Sequence, residues 1–138
     1  MLADAGMKKL NISGGEPFLQ PQYIGEVFKF CKEELHIESC SVVCNGSKVT
    51  EKWLDTYSQY LDIIAISCDS FDVETNMKQG RAEHGTSRTH IDTVFKVAQW
   101  AKERDIRVKI NTVVTMCVCL LQLFGSPLTL TVIIGKKI

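Results

Sequence analysis

The sequence predicts an α/β domain built from parallel strand–helix units, and three features carry that expectation. Short β-branched runs alternate with helical-period segments long enough to serve as crossovers. The run Ile63-Ile64-Ala65-Ile66 is apolar without a break, as in strands covered on both faces. Each strand candidate ends in a polar turn, and two of those turns contain glycine.

The elements follow in order. Residues 8–12 alternate polar and apolar and run into Ser13-Gly14-Gly15-Glu16-Pro17, a strand followed by a tight loop. Residues 20–35 read as a helix, with Ile24, Val27, Phe28, Cys31 and Leu35 on one face. A second strand over 39–44 stops at Asn45-Gly46, and Thr50 is placed to cap a helix carrying Trp53, Leu54, Tyr57 and Leu61. Residues 62–67 form the third strand, followed by a long polar loop to about residue 88. The third helix, 89–104, is expected to bury Ile91, Val94, Phe95, Ala98 and Ala101, and residues 107–113 form the fourth strand.

About four strands and three helices therefore make right-handed parallel units, in an open sheet or an incomplete barrel. Periodicity does not choose between the two. The domain is expected over residues 1–112, with Leu2 to Gly6 reading as the last turn of a helix. Residues 113–135 carry no charge and are long enough to span a membrane, but Gln122, Gly125, Ser126 and Pro127 interrupt them. The expectation for 113–138 is a divergent tail outside the domain fold, with a membrane-tethered fragment as the alternative.

With 16 basic and 16 acidic residues among 138, the chain has no global field to draw in nucleic acid or an anionic membrane. An anionic ligand must be held by a local group of cations. Six cysteines without a secretory leader suggest free thiols in a reducing, cytoplasmic setting.

Ligands of parallel β/α folds sit at the carboxyl ends of the strands. Strand parity adds a second pointer. Lys9, Asn11 and Ser13 share one face, opposite Leu10 and Ile12, while Arg107, Lys109 and Asn111 share a face opposite Val108 and Ile110. If the apolar faces pack on helices, both lysines and both asparagines look into the interior, where a nucleotide phosphate would stabilise them. The competing reading is an edge strand with a solvated lysine. The glycine pair exposes backbone to a ligand, and the Glu16 carboxylate can accept from an ammonium.

The segment Asn11-Ile12-Ser13-Gly14-Gly15-Glu16-Pro17-Phe18 resembles the S-adenosylmethionine (SAM) loop of radical-SAM enzymes. Further matches at Cys44-Asn45-Gly46-Ser47, Ala65-Ile66-Ser67-Cys68-Asp69-Ser70-Phe71-Asp72, Gly80-Arg81 and residues 95–111 are similar to the viperin-like branch of that family. The resemblance covers about residues 1–112. It implies a partial (β/α) barrel of the radical-SAM type, with SAM and a [4Fe–4S] cluster as cofactors. The implied reaction takes a hydrogen from the ribose of CTP and yields 3′-deoxy-3′,4′-didehydro-CTP, an antiviral chain terminator. By the same resemblance, Gly14, Gly15 and Glu16 hold the methionine part of SAM. Asn45, Ser67 and Arg81 also contact SAM, and Lys9, Lys109 and Asn111 serve the nucleotide triphosphate. Full-length members sit at endoplasmic reticulum and lipid-droplet surfaces through an anchor helix not found in these residues.

One departure sets the functional expectation. The family's C-x3-C-x2-C cluster motif is not among these residues, and Cys40-x3-Cys44 followed by Ser47 lacks a third thiol. No metal ligand is assigned, to Cys117 or Cys119 either. The expectation is a fragment of such an enzyme, without radical activity as these residues stand; the alternative is a non-catalytic SAM- or nucleotide-binding remnant or a misfolded splice product. His36, His84 and His90 are expected to be solvated, Trp53, Tyr57 and Trp100 to be core or rim, and Cys31 to act as a small hydrophobe. Cys68 lies near the proposed site without an evident base.

Overall fold

A computed structural model describes residues 4–69 and 90–113, and the backbone of strand Thr129–Ile133. Strand β1 (Lys9–Ile12) leads through a 3-10 turn at Pro17–Leu19 into helix α1 (Pro21–Glu33). Strand β2 (Ser39–Cys44), helix α2 (Glu51–Tyr57) and strand β3 (Ile63–Ser67) follow. Helix α3 (His90–Lys102), strand β4 (Arg107–Val113) and strand β5 (Thr129–Ile133) complete the described elements.

The local signals act as the sequence indicates. Pro21 opens α1, where its missing N–H costs nothing. The Thr50 hydroxyl accepts from the Trp53 amide at 3.2 Å and caps α2. Asp105 takes a positive φ of 56° as the chain leaves α3, a conformation that Asp tolerates better than most residues.

All strand pairings are parallel and the order is β1-β2-β3-β4-β5. Because neighbours in the sheet are neighbours in sequence, the order never reverses. A doubly wound sheet needs such a reversal to place helices on both faces. Here the helices share one face: Ile24, Phe28 and Cys31 of α1, Leu54 of α2, and Val94, Val97 and Ala101 of α3 join one buried cluster. The strand members of that cluster are Cys40, Val42, Cys44, Ile64, Ile66 and Ile110. The register places these strand residues on a common face, with Val42 opposite Ile64 and Ile66 opposite Ile110. The winding is that of an arc of (β/α) barrel, with the other sheet face turned inward.

Two sequence expectations change at α3 and beyond β4. Phe95 is 54 % exposed, and Val97 is buried in its place. The stripe Val94, Val97, Ala98, Ala101 faces the sheet, and Phe95, one residue and about 100° on from Val94, turns away from it. The sequence predicts its last strand over 107–113, whereas Thr129–Ile133, inside the apolar stretch, pairs with β4 from Lys109 to Val113. Among the described residues no helix is long and apolar enough to cross a membrane.

The lower, amino-terminal end of the sheet is tied by Asp62. Its carboxylate accepts from the Cys40 amide at 2.6 Å and pairs with Lys32 at 2.8 Å. At the outer surface Arg104 joins α3 to α2 by donating to Asp55 (Nε to Oδ1, 2.9 Å).

Candidate functional site

Parallel pairing brings the carboxyl ends of β1 to β4 to one edge of the sheet. The loop after β1 turns on two left-handed glycines, Gly14 at φ +99° and Gly15 at φ +56°. A Cβ built on either would meet no atom within 4 Å, so the glycines serve backbone conformation and leave the loop open to a ligand. Gly46, after β2, is different. At φ +83° its Cβ position lies 3.3 Å from Ile66 Cγ2, so it also makes room for close packing.

Glu16 organises this edge. One carboxylate oxygen accepts from the Phe18 amide at 3.1 Å, capping the 3-10 turn, and the other accepts from the Asn45 amide at 2.8 Å. One side chain therefore joins the β1 loop to the β2 loop. A carboxylate offers about four acceptor positions, so capacity remains for an ammonium. The Asn45 side chain is turned onto its own loop, where Oδ1 accepts from the Ser47 amide at 2.8 Å. A groove of about 390 Å³ runs beside Gly14, Gly15, Glu16 and Tyr23.

The inward face carries the residues assigned to a nucleotide, but not at one point. Lys109 pairs with Ala65, and Asn111 with Ser67, so Ser67, Lys109 and Asn111 lie together at the upper end. Lys9 is exposed and pairs with Ser39 at the start of β1, a described edge strand. Followed across the register, Lys109 is level with the end of β1 and not with Lys9. Parity thus puts both lysines on the helix-free face, while the register separates them. Asn11 accepts from the Ser41 hydroxyl at 2.8 Å. Arg81, His84, Cys117 and Cys119 lie outside the described residues.

His90 corrects a sequence expectation. It is not solvated: the residue is 7 % exposed and Nε2 lies 2.8 Å from the Ser67 carbonyl. Nothing local could have revealed this contact, whose partner is 23 residues away. Trp53 is buried and Trp100 half-buried, the latter under the Lys96 ammonium at 4.4 Å.

The described cysteines, Cys31, Cys40, Cys44 and Cys68, are buried. Burial pushes the Cys44 thiol up to about 12, with the Glu16 charge adding to it, and burial lifts Cys40 to about 11. Among the described residues no three metal-ligating side chains converge. An iron–sulfur cluster needs several converging thiolates, so the described cysteines do not fit one, and the described residues offer no step through it.

A family model described as the Radical SAM superfamily matches residues 1–120. The chain belongs to that superfamily. Among its radical-SAM relatives, the S-adenosylmethionine-dependent nucleotide dehydratase RSAD2 of Oncorhynchus mykiss is 45 % identical over 116 residues. That alignment covers 83 % of this chain and 33 % of the relative. The protein of the same name from Danio rerio is 47 % identical, with 83 % and 32 % covered. The chain thus spans about a third of the length of these relatives. In three dimensions it is similar to a domain of the pyruvate-formate lyase-activating enzyme of Bacteroides vulgatus, at TM-score 0.59 and 16 % identity. The match covers 79 % of this chain and 62 % of that one, a likeness of fold.

Proposed function

We propose that residues 4–113 supply the SAM-holding edge and part of the nucleotide surface of a SAM-dependent nucleotide dehydratase acting on CTP. The observation that carries this reading is Glu16, bonded to the amides of Phe18 and Asn45 beside two open glycines. The relatives at 45 % and 47 % identity, both nucleotide dehydratases by name, support the reaction class.

Gly14 and Gly15 present their backbone to the methionine end of SAM, and the spare acceptor positions of Glu16 take its ammonium. Ser67 and Asn45 border the same edge, and Arg81 is assigned there from the sequence resemblance. Lys109 and Asn111, beside Ser67, receive the triphosphate side of the nucleotide, with Lys9 contributing charge from the far strand. SAM, when bound and given one electron by an iron–sulfur cluster, would supply the radical chemistry at the ribose. This chain's own residues bind and orient.

The 138 residues taken alone are expected to bind SAM without cleaving it, because among the described residues no three metal-ligating side chains converge. Titration of the polypeptide with SAM tests the first part, with Glu16→Ala abolishing binding. Assay of 5′-deoxyadenosine after anaerobic reconstitution with iron and sulfide tests the second. Product above background would contradict it.

A further inference from the structure

We infer that His90 is a positioning residue for the SAM site, holding the Ser67–Cys68 peptide so that Ser67 faces its ligand; the inference rests on the SAM-site reading above. A carbonyl oxygen only accepts, so the buried ring must carry its proton on Nε2 and donate it to the Ser67 carbonyl, 2.8 Å away. The other end of the same peptide unit is also fixed. The Cys68 N–H donates to the Asn111 carbonyl at 2.9 Å. One residue on, the Thr112 hydroxyl, fully buried, donates to the Cys68 carbonyl at 2.7 Å.

Three bonds therefore set the plane in which β3 ends. Ser67 follows Ile66, which faces the helices, so by strand alternation the Ser67 side chain takes the inward face beside Asn111. Rotating the peptide about the chain would swing that side chain off the site. Without a donor at position 90 the part-buried Ser67 carbonyl loses its partner, and the plane is held only by the two bonds at Cys68. The bond spans the chain from the end of β3 to the first residue of α3. It also ties together the two ends of the connection that carries Arg81.

The test measures SAM affinity by calorimetry and Tm by thermal unfolding on the full 138-residue chain. The variants are His90→Leu, His90→Gln and Thr50→Ala, the last destabilising α2 away from the site. His90→Leu is expected to weaken SAM binding about tenfold or more, and His90→Gln, whose amide donates, to stay within about threefold of wild type. Thr50→Ala is expected to lower Tm and leave SAM affinity unchanged. If His90→Leu binds SAM like wild type, the positioning role is overturned while the SAM site stands. Affinity falling in step with Tm across all the variants, Thr50→Ala included, would also overturn it. Failure of the wild-type chain to bind SAM would overturn both readings together.

Discussion

The carboxylate of Glu16 and the backbone amide of Asn45 lie 2.8 Å apart, which makes one side chain the link between the loops after β1 and β2. With Phe18 on its other oxygen, Glu16 holds two backbone donors from segments 29 and 2 residues away. Its first task is therefore to shape the site, and any ligand contact is added to that.

Substitution at Glu16 should accordingly affect stability as well as binding. Removing the carboxylate in Glu16→Ala orphans two amides and is expected to cost about 1–3 kcal/mol. Glu16→Gln keeps one acceptor but turns an NH2 towards the second amide, so it should fall between wild type and Ala. Urea denaturation of the three proteins checks the order; equal midpoints would show that the bridge contributes nothing.

The glycines should separate by their surroundings. Ala at Gly46 meets both a left-handed backbone and Ile66 Cγ2 at 3.3 Å, whereas Ala at Gly14 meets only the backbone strain. Gly14→Ala is expected to cost about 1 kcal/mol and Gly46→Ala about 2–3 kcal/mol. The Tm values of the two variants give the comparison.

Alkaline pH should unfold the domain through its buried thiols. Burial raises Cys44 to about 12 and Cys40 to about 11 from a usual 9.0, so the folded state favours the neutral thiol. Their contribution is complete below pH 9 and is lost as pH climbs through the folded values, because the unfolded chain then releases protons that the folded chain retains. Denaturation midpoints should fall from pH 9 upward, less steeply in Cys44→Ala. At neutral pH, alkylation by iodoacetamide should be slow for both thiols until denaturant is added.

At the opposite end of the sheet, Asp62→Ala should destabilise without touching ligand affinity. It removes the acceptor of the Cys40 amide and leaves Lys32 without its carboxylate. The expected loss is about 1–3 kcal/mol, read by urea denaturation, with SAM affinity unchanged by calorimetry.

Much of this was legible in the residues. Strand alternation in β2 places Cys40, Val42 and Cys44 on the helix side, and the same rule put Lys109 and Asn111 opposite Ile110. Thr50 was readable as a cap because its partner amide is three residues on. The contacts that build the site were not readable, since Glu16 reaches Asn45 and His90 reaches Ser67 only after the sheet has formed. Phe95 misled for a related reason. Helical spacing permits either Phe95 or Val97 beside Val94 and Ala98, and only packing on β4 and its neighbours selects Val97. The singly wound order was not readable from periodicity, which says nothing about which strand lies next to which; the resemblance to radical-SAM enzymes implied it.

The ends of β1, β2 and β3 are proposed to form one SAM-binding edge. The most direct measurement is the set of backbone amide shifts in a 15N-labelled chain as SAM is added. Changes should concentrate at Gly14, Gly15, Asn45 and Ser67 and disappear in Glu16→Ala. Changes confined to the outer groove between Ser47 and Trp100, or no saturable change at all, would show that SAM does not bind at this edge.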